Sequence, residues 1–282
     1  MSNKSKSILL MIGSVLAFTL MTISIKYSGD LPIPVKLLFR NLVSLLVTFW
    51  ALKQSNTRLL GLPQNRKYLF YRSLLGITGM GLFFYSIENL HLTDASILSK
   101  LSPFFVTLFA FLFLKEKIKK YQIISLIIVF SSAMLVIKPR FDLSILPALG
   151  GFIGAAAAGG AYTLVRFLNG TEKPATIIFF FSLISLIIIS PLSIYYFEIP
   201  SANQLIFLIL IGVFATLGQF GMTFAYRYSA ASEVSFYSYI HIIFAALADY
   251  LIWGEVADSL SLLGGLLIIV TSLIIFLKNK SS

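Results

Sequence analysis

The chain has 282 residues, 58% of them hydrophobic and only 12% charged, with a mean hydropathy of +0.91, far from the roughly 25% charged of ordinary soluble domains; it reads as an integral membrane protein. It has no cysteine, which excludes disulfides, thiolate catalysis and cysteine-ligated metals. The net charge of +11 invites a nucleic-acid reading, but basic excess in a membrane chain commonly sits in loops and sets orientation.

A bilayer core about 30 Å thick needs roughly 20 apolar residues of helix. Ten stretches between charged or Pro/Gly breaks approach that length: 8–27, 33–53, 68–89, 93–114, 119–137, 145–167, 175–197, 203–226, 231–252 and 259–277. Their connections are short and leave no soluble domain. Span one follows Lys4 and Lys6 as a signal peptide would. Its apolar part is long, however, and no A-x-A-like cleavage site follows, so it is expected to be retained.

Lys26 closes span one. Arg40 lies some seven residues into span two, on a stripe with Lys36 and Ser44, and Trp50 reads as an interface anchor. In span three, Gly76, Gly79 and Gly81 suit close helix contacts, and the following Phe83, Phe84 and Tyr85 are expected toward solute. Glu88 and Asp94 mark the adjoining ends of spans three and four. Lys26, Arg40, Glu88 and Asp94 thus crowd one rim, either as a salt-bridge gate that closes a cavity or as a cationic trap for a carboxylate or phosphate. The two readings are compatible.

Span four contains SKLSPFFVTLFAFLFLKE, Ser99 to Glu116. Ser96, Lys100, Pro103 and Thr107 follow at i, i+4, i+7 and i+11, one helical stripe. Ionisable groups at membrane depth are costly and face cavities or partners, so Ser96 and Lys100 are expected against water or substrate. The alternatives are a lysine paired with an acid or one that snorkels to the surface. Pro103 removes a backbone donor and bends the helix, and the freed carbonyl suits a cavity. Span six holds GGFIGAAAAGG, Gly150 to Gly160, with small-xxx-small spacing for close approach, and the adjoining Tyr162 borders the expected cavity. Asn169-Gly170-Thr171 is a glycosylation triplet on the expected cytoplasmic side, hence silent.

Span nine contains SYIHIIFAALADYLIWGE, Ser238 to Glu255. Ser235, Tyr239, Ile242 and Ala246 repeat the stripe of span four, and Tyr239 takes the place of Lys100, offering a stacking face and a hydroxyl. His241, roughly 200° further around the helix, is the side-chain type whose unperturbed titration falls near neutral pH; it is a proton-coupling candidate or a histidine hydrogen-bonded between helices. Asp249 and Glu233 are acidic alternatives for coupling, although Glu233 sits at a helix start, where an acid suits the dipole. Trp253 reads as a second anchor.

The likeness of spans four and nine extends along the chain. An offset of 139 aligns Thr93–Ser96 with Ser232–Ser235 and Glu116 with Glu255; an offset of 140 pairs Lys26 with Arg166 and Pro34 with Pro174. The chain therefore divides into five-span halves, 1–140 and 141–282. Five is odd, so the second half enters the membrane inverted. With the N-terminus inside, 16 of the 22 basic residues fall on inner segments: Lys4, Lys6, Lys53, Arg58, Arg66, Lys67, Arg72, Lys115, Lys117, Lys119, Lys120, Arg166, Lys173, Arg227, Lys278 and Lys280. Lys138 and Arg140 fall outside. The positive-inside rule places both termini in the cytoplasm, and inverted halves supply two states of similar energy for alternating access.

The lysine late in span one, the arginine within span two, the spacing from Pro103 to Glu116 and the two five-span halves resemble the EamA family of the drug/metabolite transporter superfamily along the whole chain. The resemblance implies a ten-helix carrier of small organic solutes, with a cavity lined by spans one to four and six to nine, and spans five and ten packed outside. Similar proteins are associated with amino acids, nucleotide sugars, S-adenosylmethionine, flavins and toxic cations. One departure is Ile242 where the first half has Pro103, so the bend of span nine is expected to be weaker.

The expectation is an all-α polytopic membrane protein of ten transmembrane helices in two inverted repeats, a permease of the plasma membrane with cytoplasmic termini. Lys100, Arg40, Tyr239, Tyr85, Tyr162 and Ser96 are candidates for substrate contact; Lys26, Glu88, Asp94, His241 and Asp249 are candidates for gating or coupling. A channel or passive facilitator is the alternative, but the unlike Lys100 and Tyr239 make a poor filter ring. An intramembrane enzyme is a third class: neither H-E-x-x-H nor G-x-S-x-G occurs, and His91 and His241 lack metal-ligand spacing. No cofactor or metal is expected. The expected partners are a small-molecule substrate, the bilayer, a coupling ion or proton and, as an open alternative, a second copy in a homodimer; nucleic acid is not among them.

Overall fold

The computed structural model describes residues 3–54, 58–115, 118–139, 143–168, 170–228 and 235–280; Glu116, Lys117, Arg140, Asn169, Ser232 and Glu233 lie outside them. Every long regular element among these residues is helical. The first segments are α1 (Asn3–Tyr27), α2 (Ile33–Gln54), α3 (Arg66–Asn89), α4 (Leu92–Ser99), α5 (Ser102–Leu114) and α6 (Lys120–Ile137). They are followed by α7 (Leu146–Leu168), α8 (Pro174–Tyr195), α9 (Ala202–Tyr228), α10 (Ile240–Ala248) and α11 (Ser259–Lys280). Eight segments are long and apolar enough to cross a membrane, α4 and α5 together forming one of them. Of the ten expected spans, α3 falls outside this set, carrying Arg66, Lys67, Arg72 and Glu88. The ninth appears as a shorter apolar helix, Tyr237–Trp253.

Side-chain bonds fix the directions. The start of α1 meets the end of α9 through Ser7 Oγ, which donates to the Ala225 carbonyl at 2.6 Å. The start of α2 meets the end of α8 through Ser193 Oγ and the Pro34 carbonyl at 2.8 Å. The end of α3 meets the start of α7 through Ser86 Oγ and the Pro147 carbonyl at 2.7 Å. Successive segments therefore alternate between a near face, where α1 begins, and a far face, where it ends. α1 starts at the near face and α7 at the far one. In the packing, α1 lies on α9 and α10, while α7 lies on α3 and on α4 and α5. α2 lies on α8 and α9, α8 on α3, α4 on α10, and α6 on α11.

Lipid is as apolar as leucine, so burial gives little drive for helices to meet and small residues must let backbones close in. Gly79 and Gly154 do this for α3 and α7: a Cβ on Gly79 would stand 2.9 Å from the Gly154 carbonyl oxygen. Gly264 does the same for α11, where a Cβ would lie 2.8 Å from the Ser132 carbonyl oxygen of α6. Large apolar side chains instead face outward, with Phe113 73% and Leu251 75% exposed. Serine and threonine point inward, as in the 2.9 Å contact between Ser44 and Thr216. A polar inside and an apolar outside suit a multi-pass membrane protein.

Span four is broken between Ser99 and Ser102. Pro103 lacks the N–H that would bond the Ser99 carbonyl, and its ring crowds that oxygen; at the second position of α5 it fits without cost. Span nine, which lacks a proline there, stays wound from Ser235 to Trp253. That segment runs as a 3-10 turn at Ser235–Tyr239, then α10, then a π-helical turn at Asp249–Trp253. Its change of winding falls at Tyr239–Ile240, the counterpart of Lys100–Leu101, without a proline.

Candidate functional site

Three polar groups line the interior and its far rim. Between α2, α3 and α8, Arg40 and Arg72 are both buried and point at one ring: their Cζ atoms lie 5.3 and 4.2 Å from the centroid of Phe181. Arg40 Nη1 donates to Asn41 Oδ1 at 2.8 Å. Asn41 in turn donates to the Leu37 carbonyl one turn back, also at 2.8 Å. Tyr162, on α7, is 42% exposed. Gly76 makes room for the ring, since a Cβ there would stand 2.8 Å from Phe181 Cε2.

The second group lies on α4 and α10, which pack together. Ser96 Oγ and His241 Nδ1 are buried without hydrogen-bond partners among the described residues. Lys100, half-buried at the break, is near enough for His241 to feel its charge; no described acid pairs with its ammonium. Tyr239 packs in an apolar cluster with Ile97, Leu98 and Leu101. Tyr85 lies 3.2 Å from where a Cβ on Gly150 would be, which places it against α7.

The third group is the far rim. Lys36 Nζ donates to Glu88 Oε1 at 2.6 Å and to the Gly29 carbonyl at 2.7 Å. Lys26 stands 4.0 Å from Asp249 Oδ1 and 4.8 Å over the Trp253 ring. His91 Nδ1 and Glu255 Oε2 are 2.9 Å apart. Lys26, Glu88, His91 and Glu255 surround an open recess of about 380 Å³. Asp249, fully buried, accepts from the backbone N–H groups of Leu92 and Thr93 at 3.1 and 2.7 Å and from the Thr93 hydroxyl at 2.6 Å. It thus caps the first turn of α4 from another helix, where the dipole favours an anion. Asp94 is buried with Oδ1 unpartnered. Beside the recess Lys138 pairs with Asp258. Against the cost of burial, the Lys138 ammonium and the Ser261 and Leu260 backbone N–H groups hold the Asp258 carboxyl down to about 2.

The near face is tied differently. Glu172, before α8, accepts from the Leu62 backbone N–H at 2.7 Å and from Asn65 Nδ2 at 2.8 Å. Thr176 donates to the Arg58 carbonyl at 3.1 Å.

The structure thus sets Arg40 beside Arg72 over Phe181 and Lys26 beside Asp249, pairs Glu88 with Lys36, and packs the segments that carry Lys100 and His241 together. Arg40 takes no part in the rim pairs; Tyr85 packs against α7 and Tyr239 in the apolar cluster beside α4. Sequence reasoning missed Arg72, which it had counted among inner charges, and the pair of His91 and Glu255. The signal for Arg72 was its place one turn before Gly76, on the same helical face. Among the described residues no group of three or more His, Asp or Glu could hold a metal.

A profile described as the EamA-like transporter family matches residues 5–138 and again 145–277. The pseudopaline exporter CntI of Pseudomonas aeruginosa is 32% identical to this chain, over 97% of it and 96% of the relative. A riboflavin transporter of Brucella anthropi is 23% identical over 96% and 98%. An S-adenosylmethionine uptake transporter of Rickettsia conorii is 25% identical over 75% and 72%. A solved crystal structure shares the fold with a TM-score of 0.68 over 98% of each chain, at 13% identity.

Proposed function

This chain belongs to the EamA-like transporter family, and from that premise we propose that it carries a small organic solute across the plasma membrane by alternating access between two inverted five-span repeats. It is a small-molecule transporter; the mechanism, the repeat and the orientation are the reading advanced here. The observation that carries the mechanism is the pattern of helix contacts. Exchanging each span with the one five places along turns α1 on α9 into α7 on α3, and α2 on α9 into α8 on α3. It leaves α2 on α8, α4 on α10 and α6 on α11 unchanged. A bundle with that property has a second arrangement of similar energy with the two faces exchanged.

In this reading the far-rim pairs are the gate: Lys26 with Asp249, Lys36 with Glu88, and His91 with Glu255. Glu172 and its partners close the near side. The broken fourth span and the unevenly wound ninth lie between, with Lys100, Ser96 and His241 available to a solute or a coupling proton. Both termini are cytoplasmic. A thermal-shift screen against metabolites, including riboflavin and S-adenosylmethionine, identifies a ligand by the stability it adds to the folded state. Counterflow in proteoliposomes then tests transport. Preloaded unlabelled solute should drive transient accumulation of labelled solute. Equilibration without such accumulation would mark a channel and sink the alternating-access reading.

A further inference from the structure

Holding one guanidinium inside a helix bundle is costly, and holding two beside each other without a carboxylate is costlier. Arg40 is 5% exposed and Arg72 8%. Arg40 Nε, Arg72 Nε and Arg72 Nη1 are buried with no hydrogen-bond partner among the described residues. The polar contact that Arg40 does make, to Asn41 Oδ1, orients the group without neutralising it. No described acid pairs with either arginine: Glu88, Asp249, Glu255 and Asp258 are engaged at the far rim, and Glu172 at the near face. On α8, next to Phe181, the hydroxyls of Ser182 and Ser185 are also buried without partners among the described residues; Ser185 stands one turn from Phe181 on the same side of the helix.

We infer that Arg40 and Arg72 form a subsite for the oxyanion of the transported solute, which is a small organic acid bearing a carboxylate or phosphate. Guanidinium forks match such groups through paired N–H donors. Phe181, with both cations over its ring, attracts them by its quadrupole but offers no acceptor to their N–H groups. Gly76 preserves this arrangement, with a Cβ position 3.6 Å from Arg72 Nη1 and 2.8 Å from the ring. The inference rests on the transporter reading above and narrows its solute to an anion.

The purified full chain is melted in detergent in an oxyanion-poor chloride buffer, with succinate, with neutral succinamide, with inorganic phosphate, or with phosphatidylglycerol. Succinate or phosphate should raise the melting temperature saturably and succinamide should not, because an anion that binds the folded state stabilises it. Arg40→Gln and Arg72→Gln should each lose about 10- to 100-fold in affinity, yet melt no lower than wild type without oxyanion, since each removes an uncompensated charge. Arg72→Lys, which keeps the charge, should retain part of the affinity. The stronger of the two anions identifies the group bound. The subsite is overturned by equal shifts in wild type and the glutamine variants, by an equal shift with succinamide, by no shift with either anion, or by stabilisation from phosphatidylglycerol alone. Counterflow unchanged in both glutamine variants would remove the subsite and leave the transporter reading standing. Anion binding without counterflow would do the reverse.

Discussion

Lys100 occupies the break of span four, and its ammonium finds no described acid. A lysine held by a buried ion pair would destabilise the protein by about 3–5 kcal/mol when replaced, because the partner is stranded. A lysine that meets solute would instead contribute about 1.5–3 kcal/mol to binding, a ten- to hundredfold change in affinity. We therefore expect Lys100→Met to melt at or above the wild-type temperature while losing that affinity for whatever ligand the thermal screen identifies. Lys100→Arg should fall between. A Lys100→Met protein that melts much lower and binds normally would return the residue to a structural role. Asp249 shows how burial separates residues that look alike in sequence: a carboxylate late in span nine reads as a coupling group, yet its oxygens are engaged by the first amides of α4.

At the scale of elements, close approach is what the glycines of α7 supply. A Cβ on Gly159 would stand 2.4 Å from Phe105 Cβ on α5, a position no real Cβ occupies, whereas Gly13 of α1 has nothing within 4 Å. Gly159→Ala should lower stability by about 1–3 kcal/mol through overpacking. Gly13→Ala should be neutral or gain up to about 1 kcal/mol of helix propensity. Melting curves in micelles compare them, and equal curves would deny that α5 and α7 depend on this contact. Spans four and nine show the limit of local reading. Pro103 announces the break of span four through its missing N–H. The changes of winding in span nine have no such residue and fall where α10 packs on α4, with Asp249 fastened to α4.

For the whole molecule, the proposed orientation gives a test that needs no ligand. The chain has no cysteine, so single cysteines report cleanly. Ser201→Cys, between α8 and α9 at the far face, should react with an impermeant thiol reagent on intact cells. Lys278→Cys, at the near end of α11, should react only after permeabilisation. Labelling of Lys278→Cys in intact cells would invert the topology and with it the assignment of the rim gate to the outside.

Composition and hydropathy determined the membrane class, since so few charges and so much apolar length leave helices as the way to satisfy the backbone in lipid. The offset of 139–140 and the odd span count carried the expectation of two opposed halves, and helical spacing carried the stripe through Ser96 and Lys100; all are local properties of the chain. Which charges meet was decided elsewhere. Nothing in the sequence couples Arg40 to Arg72, His91 to Glu255 or Asp249 to Thr93, because residues 32, 164 and 156 positions apart become neighbours only when α2, α3, α4, α8 and α10 pack. Electrostatic partnership falls off over a few ångströms, and those distances are properties of the assembled bundle.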